Sequence, residues 1–124
     1  MKKRAIVKEL KEKYPNKNIV LIPPENPSEI LCEIDPTSLH PEKSTVIAIV
    51  GKAAAHYHKK STEIYEVIRG VLTVNKEGKK YILKEKEKIT INPGEVHYAE
   101  GNDVWFYAYS SPGWTFEDHK LIDK

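Results

Sequence analysis

The sequence has a single cysteine, Cys32, so no internal disulfide can form. A small secreted scaffold built on disulfides is thereby excluded. Long apolar runs are also missing. A helix crossing a bilayer needs about 20 consecutive apolar residues, and none is present. The chain opens with Met1-Lys2-Lys3-Arg4, but no apolar signal core follows. Together these features lead us to expect a soluble, cytoplasmic protein. An excess of one charge is absent too: Lys plus Arg number 20, Asp plus Glu 18, for a formal charge of +2. No nucleic-acid partner is expected on that balance. A disordered acidic chain is excluded because 40% of the residues are hydrophobic. At 124 residues the chain can close one core but not two sizeable ones.

What is present falls into unequal parts. Residues 2–14 predict a short amphipathic helix, with Ile6, Val7, Leu10 and Tyr14 at helical spacing and Lys and Glu between them. Pro15 and Asn16 stop it. Residues 17–44 hold five prolines, which rule out a helix. Short extended pieces fit near Ile19–Ile22 and Ile30–Ile34, at the edge of a sheet.

From residue 45 the pattern is one of strands: Thr45–Val50, Thr62–Ile68, Val71–Val74, Lys79–Leu83, Ile89–Ile91 and Val104–Tyr109. Gly51, Lys76-Glu77-Gly78, Pro93-Gly94 and Gly101-Asn102-Asp103 punctuate them as turn signals. Short strands at this spacing predict an all-β sandwich or barrel. Crossover helices between strands are missing, which excludes a doubly wound parallel sheet.

Five histidines are scattered through the chain: His40, His56, His58, His97 and His119. His56 and His58 are two apart, so in an extended segment both imidazoles leave the same face. Glu63 opens the next strand after the polar link Lys59-Lys60-Ser61-Thr62. An antiparallel neighbour can bring its carboxylate beside the two rings. His97 follows the Pro93-Gly94 turn and begins a later strand. Three imidazoles and a carboxylate suit a divalent transition metal such as Mn, Fe, Zn or Ni. On a six-coordinate ion, four protein ligands leave two positions open for substrate, water or dioxygen.

Residues 51–70 read G-K-A-A-A-H-Y-H-K-K-S-T-E-I-Y-E-V-I-R-G. This resembles the first cupin motif, with Gly51, His56, His58, Glu63 and Gly70 in register. Residues 92–97, N-P-G-E-V-H, resemble the second motif through Gly94 and His97. Four positions depart from the pattern. Lys86-Glu87 stand where family members usually carry Gly-Asp, and Asn92 stands for a proline. Gly101 falls where an asparagine is usual. None of these departures removes a ligand.

The resemblance implies a double-stranded β-helix barrel (a cupin or jelly-roll barrel) with a short N-terminal helix. It implies one interior metal on His56, His58, Glu63 and His97. On this reading residues 1–42 are a helix and proline-rich arm packed on the barrel. Residues 43–112 are the barrel core and 113–124 a C-terminal tail, all within one domain. The tail, with Trp114 and Phe116, resembles that of many small cupins and is expected to cap the barrel.

Strand parity places Tyr65 and Val67 inward with Glu63, and Ile64, Glu66 and Ile68 outward. Ala54 shares parity with His56. On the last strand Trp105, Tyr107 and Tyr109 share one face, and Val104, Phe106 and Ala108 the other; either set can line the cavity. Ala54, Tyr65 and Tyr107 are therefore the candidate substrate-lining residues. His40, in Leu39-His40-Pro41, reads as surface, and Arg69 beside Gly70 as an exposed turn residue.

The family includes isomerases, epimerases, dioxygenases and decarboxylases, as well as binding modules without turnover. The resemblance thus implies a small metal-binding protein, an enzyme or a ligand-binding module, acting on a small molecule that is sugar-like or carboxylated. Small cupins are commonly dimers, so a homodimer is expected. No side chain outside the ligand set stands out in the sequence as a base.

Overall fold

The computed structural model describes residues 1–122. It is an all-β barrel with one short helix, the double-stranded β-helix architecture that the motifs implied. Helix α1 spans Lys3–Lys13. Ten strands follow: β1 Asn18–Ile22, β2 Glu29–Asp35, β3 Ser44–Lys52, β4 His56–Tyr57 and β5 Thr62–Arg69; then β6 Leu72–Lys76, β7 Lys79–Leu83, β8 Lys88–Ile91, β9 His97–Ser111 and β10 Lys120–Leu121.

Among the described residues all strand pairs are antiparallel. The organising element is β9, which runs 15 residues. Its second half lies between β3 and β5, with Ala108 opposite both Val46 and Tyr65. Its first half pairs with β6 and touches β4, where His97 faces His56. The sheet curls on itself through this shared strand.

The expected turn at Gly101-Asn102-Asp103 is instead a bend inside β9. Asp103 takes a left-handed φ of 51° there. Gly101 is needed for packing: a Cβ on it would come within 2.3 Å of Val104 Cγ2. Pairing of both halves of β9 overrides the local turn chemistry.

Strand β3 shows why Thr45–Val50 is apolar on both parities. Val46, Ala48 and Val50 enter the barrel interior with Leu31, Tyr65, Val67 and Phe106. Ile47 and Ile49 point the other way, into a second cluster with Ile30, Cys32 and Trp105. Helix α1 covers that cluster with Ile6 and Leu10, both buried. Burying one such side chain fully stabilises by about 1.5–3 kcal/mol. Arg69 also ties the helix down. Its Nη2 donates to Glu9 Oε2 at 2.6 Å, and its guanidinium lies 4.4 Å from the centre of the Trp105 ring. It is thus a surface residue with a structural role. No helix among the described residues is long and apolar enough to cross a membrane.

Candidate metal centre

The four residues singled out by the motif spacing meet inside the barrel. One ligand atom from each of His56, His58, Glu63 and His97 lies within 4.8 Å of all the others. All four residues are buried, none more than 3% exposed. His56 lies on β4, His58 just after it, Glu63 on β5, and His97 opens β9. The two motifs are pinned together by the backbone: Gly94 N–H donates to His58 O at 2.7 Å. Gly94 makes that turn with φ 82°, a conformation open to glycine without a Cβ penalty.

The rings are oriented by their far nitrogens. Nδ1 of His56 contacts Ala54 O at 2.9 Å, Nδ1 of His58 contacts Asp118 O at 3.0 Å, and Nδ1 of His97 contacts Glu95 O at 2.9 Å. A carbonyl oxygen only accepts, so each Nδ1 carries the hydrogen. In the neutral ring Nε2 is then left with a bare lone pair. Backbone partners of this kind fix tautomer and ring angle in metal sites.

Glu63 is held in the same way. Tyr65 Oη donates to its Oε1 at 3.2 Å, and Ser110 Oγ donates to its Oε2 at 3.2 Å. His58 Nε2 lies 3.0 Å from Glu63 Oε1, and His97 Nε2 3.6 Å away. Neither approach makes a hydrogen bond, so both buried nitrogens lack a partner. Orphaned lone pairs converging on a carboxylate are what a divalent cation satisfies.

The electrostatics agree. Burial would raise the Glu63 carboxyl, but His58 and His97 beside it hold it well below the usual range. Burial pushes His58 down, yet the Glu63 carboxylate outweighs this and leaves it above its ordinary value. His56 is driven down to about 2, first by burial and then by His119 and His97. It therefore stays neutral and available as a donor across the physiological range.

Two polar residues that sequence reasoning missed share this cavity. His119 stacks on His56, ring centres 3.9 Å apart and planes 11° from parallel. Burial first, and then His58, push it down to about 4. Trp114 Nε1 donates to His119 Nδ1 at 3.3 Å. The tail carrying both is strapped across the barrel mouth. Asp118 Oδ1 accepts from Lys59 N–H at 2.9 Å, and Oδ2 from Lys60 N–H at 3.1 Å and Ser61 N–H at 3.3 Å. Strand β10 then pairs with β4, Leu121 opposite His56.

The other missed residue is Glu29, at the start of β2. It lines the cavity with Tyr65 and the ligands, and is only 6% exposed. Burial, and then Glu63, push its carboxyl up to about 7. The signal available in the sequence was parity: Glu29 alternates with Leu31, an interior residue. The proline-rich context hid it.

Of the candidate lining residues, Tyr65 lies in the cavity wall. The structure corrects the other two. Ala54 is exposed; residues 53–55 lie outside any strand, so strand parity does not carry through them; only its carbonyl serves the site. Tyr107 sits on the opposite face of β9, packed toward the helix-side cluster. Phe106 and Ala108 take the cavity side. His40 stays apart from the site, on Asp35 Oδ1 at 2.8 Å and Lys43 O at 2.7 Å.

With the tail in place the cavity is small. It has room for about one or two waters.

A curled antiparallel barrel with three histidines and a glutamate inside defines a class of small barrels with a group that could hold a metal ion. The cupin domain model matches residues 37–104, more than half of the chain, and the protein belongs to the cupin family. A comparison with curated proteins finds no match. Among solved structures, the chain is similar to Pac13 of Streptomyces, described as a nucleoside dehydratase, with 13% identity and a TM-score of 0.74. That alignment covers 88% of this chain and 87% of Pac13. It is also similar to a protein from Planctomyces limnophilus, at 22% identity and TM-score 0.73, covering 87% of this chain and 92% of the other. KdgF from Halomonas sp. aligns at 20% identity and TM-score 0.62, over 71% of this chain and 83% of its own. These likenesses concern the fold.

Proposed function

We propose that this protein is a metal-dependent cupin enzyme acting on a small, oxygen-rich molecule, sugar-like or carboxylated, as an isomerase or a dioxygenase. The carrying observation is the set of three histidines whose Nδ1 atoms are held on backbone carbonyls. Their Nε2 atoms converge with Glu63, two of them without partners. His56, His58, Glu63 and His97 would hold one ion of Mn, Fe, Zn or Ni. When bound, that ion supplies a Lewis acid able to polarise a carbonyl or hydroxyl. The chain's own residues do the rest. Tyr65 and Ser110 fix the carboxylate, the apolar wall excludes water, and the tail covers the mouth.

The small cavity sets a condition. A substrate of several heavy atoms enters only when Trp114 and His119 move aside. Similar barrels include a Streptomyces Pac13 variant described with uridine, and a protein named as an oxalate decarboxylase of Bacillus subtilis. These support a small-molecule substrate here. The free, buried thiol of Cys32 suits a reducing compartment. A homodimer is part of this proposal; sedimentation velocity reads it directly.

The test is metal content by elemental mass spectrometry on untagged protein, beside a His56→Ala/His58→Ala double variant. About one ion per chain in the wild type and none in the variant is expected. Iron as that ion would favour oxygen chemistry. A wild-type chain that arrives without metal and refuses added Mn, Fe, Ni and Zn would sink the reading.

A further inference from the structure

Glu29 sets a problem that the metal ligands do not solve. A carboxyl this buried is ordinarily paired with a cation or saturated with hydrogen bonds. Among the described residues no N–H or O–H group donates to the Glu29 side chain, and no cation pairs with it. Glu63, the other carboxylate of the cavity, takes hydrogen bonds on both oxygens. Glu29 shares the cavity with His56, His58 and Glu63 but belongs to a different strand, on the wall formed with Leu31 and Ala48. The neighbouring wall is apolar, Phe106 and Ala108, and cannot satisfy it. The group that Glu29 is built to meet is therefore one that enters the cavity.

We propose that Glu29 is the proton-transfer residue of this site, and that the substrate is a small α-hydroxycarbonyl compound whose proton it moves between adjacent carbons. The inference rests on the metalloenzyme reading above and selects its isomerase branch. The step balances without any co-reactant. The Glu29 carboxylate takes the proton from the carbon bearing the hydroxyl, and the electron pair of that C–H bond becomes the carbon–carbon double bond of an enediol. Glu29 then returns the proton to the former carbonyl carbon. The hydroxyl proton passes to the former carbonyl oxygen, so aldehyde and ketone exchange places. No oxidant or reductant is needed. A buried carboxyl without a hydrogen-bonding partner in this cavity suits this work, because it is not held in one charge state by a fixed partner.

The experiment uses the full chain loaded with Mn(II), in D₂O, with glyceraldehyde, dihydroxyacetone and hydroxypyruvate as probes. Deuterium entering the carbon next to the carbonyl is followed by NMR. Wild-type protein is expected to exchange at least one probe, and Glu29→Gln to lose about 100-fold or more of that rate. Glu29→Asp should retain part of it. Two further readouts separate the possible failures. Mn(II) binding, followed by thermal shift, should be the same in wild type and Glu29→Gln. In metal-free protein the infrared carbonyl band of a protonated carboxylic acid should be present in wild type near neutral pH and absent from Glu29→Gln.

Equal exchange by wild type and Glu29→Gln would overturn the proposal. So would Mn-loaded wild type that exchanges none of the probes, while leaving the metal centre standing. Failure of wild type to bind Mn(II) or any other ion would overturn the reading beneath it as well.

Discussion

His56, His58 and His97 each anchor one ring nitrogen on a backbone carbonyl, and that anchoring makes the site more than a coincidence of side chains. One of those carbonyls, from Asp118, belongs to the tail, so the tail is built into the candidate site as well as over it. The residue scale also explains a departure from the family pattern. Lys86 stands where a glycine is usual, and it adopts the conformation a glycine would, with φ 73°. Its N–H still donates to Val67 O at 2.8 Å, so the turn is kept. Holding a side chain in this region costs roughly 1–2 kcal/mol, offset in part by the greater chain entropy a glycine would lose. The Lys86 side chain is exposed, so no packing is lost on replacing it. Lys86→Gly is expected to raise stability by about 0.5–1 kcal/mol, read by urea denaturation. An unchanged or lower midpoint would show that the turn carries no strain.

Two elements outside the barrel proper are held by specific contacts that can be tested one at a time. Helix α1 is tied to β5 by the pairing of Glu9 with Arg69. Arg69 first, and then Lys13, hold the Glu9 carboxyl at about 2, below its ordinary value of 4.5. A depressed carboxylate contributes stability above its unfolded pKa, and that contribution is lost as the pH falls toward the folded one. The pair is largely exposed, with 50% of the Arg69 and 31% of the Glu9 side chain accessible. Screening therefore limits it to about 1 kcal/mol or less. Glu9→Gln should flatten the fall in melting temperature between pH 4.5 and about 2, with little effect at high salt. An acid limb identical to wild type would show that the pair contributes nothing.

The tail is the second such element. Asp118 satisfies three successive backbone N–H groups, and Asp118→Ala removes all three bonds at once. A cost of about 1–3 kcal/mol is expected. Hydrogen exchange should also quicken at Ile122, whose N–H donates to Ala55 O. If that amide kept its protection, the tail would be held by β10 pairing and Trp114 rather than by Asp118.

For the molecule as a whole, the proposed metal centre and the fold are linked. Its four candidate ligands come from the β4 segment, β5 and β9, and an ion joining them would bind the folded chain and not the unfolded one. At a thousand-fold excess over the dissociation constant, mass action adds about 4 kcal/mol. Mn(II) should thus raise the melting temperature of the metal-free protein by about 10 °C or more. The His56→Ala/His58→Ala variant should show no such rise; an equal rise there would place the binding elsewhere.

Local spacing determined a good deal about this protein. The helix at residues 3–13 was legible because Ile6 and Leu10 lie one turn apart on a face that must be buried. The strands were legible because β-branched residues alternate between turn signals, and the ligand set because His-x-His and the residues after it hold fixed places along paired strands. Where neighbours decide, local spacing was silent or misleading. Ala54 left the site because its segment belongs to no strand, and Tyr107 because β9 turns Phe106 and Ala108 inward. Glu29 and His119 lie 27 residues before and 63 after His56, and only the folding of β2 and the tail onto the barrel brings them to it. A sequence records which residues share a face of their own strand. Which distant strand lies across the cavity is fixed by tertiary pairing, and here that pairing chose the residues that surround the candidate metal site.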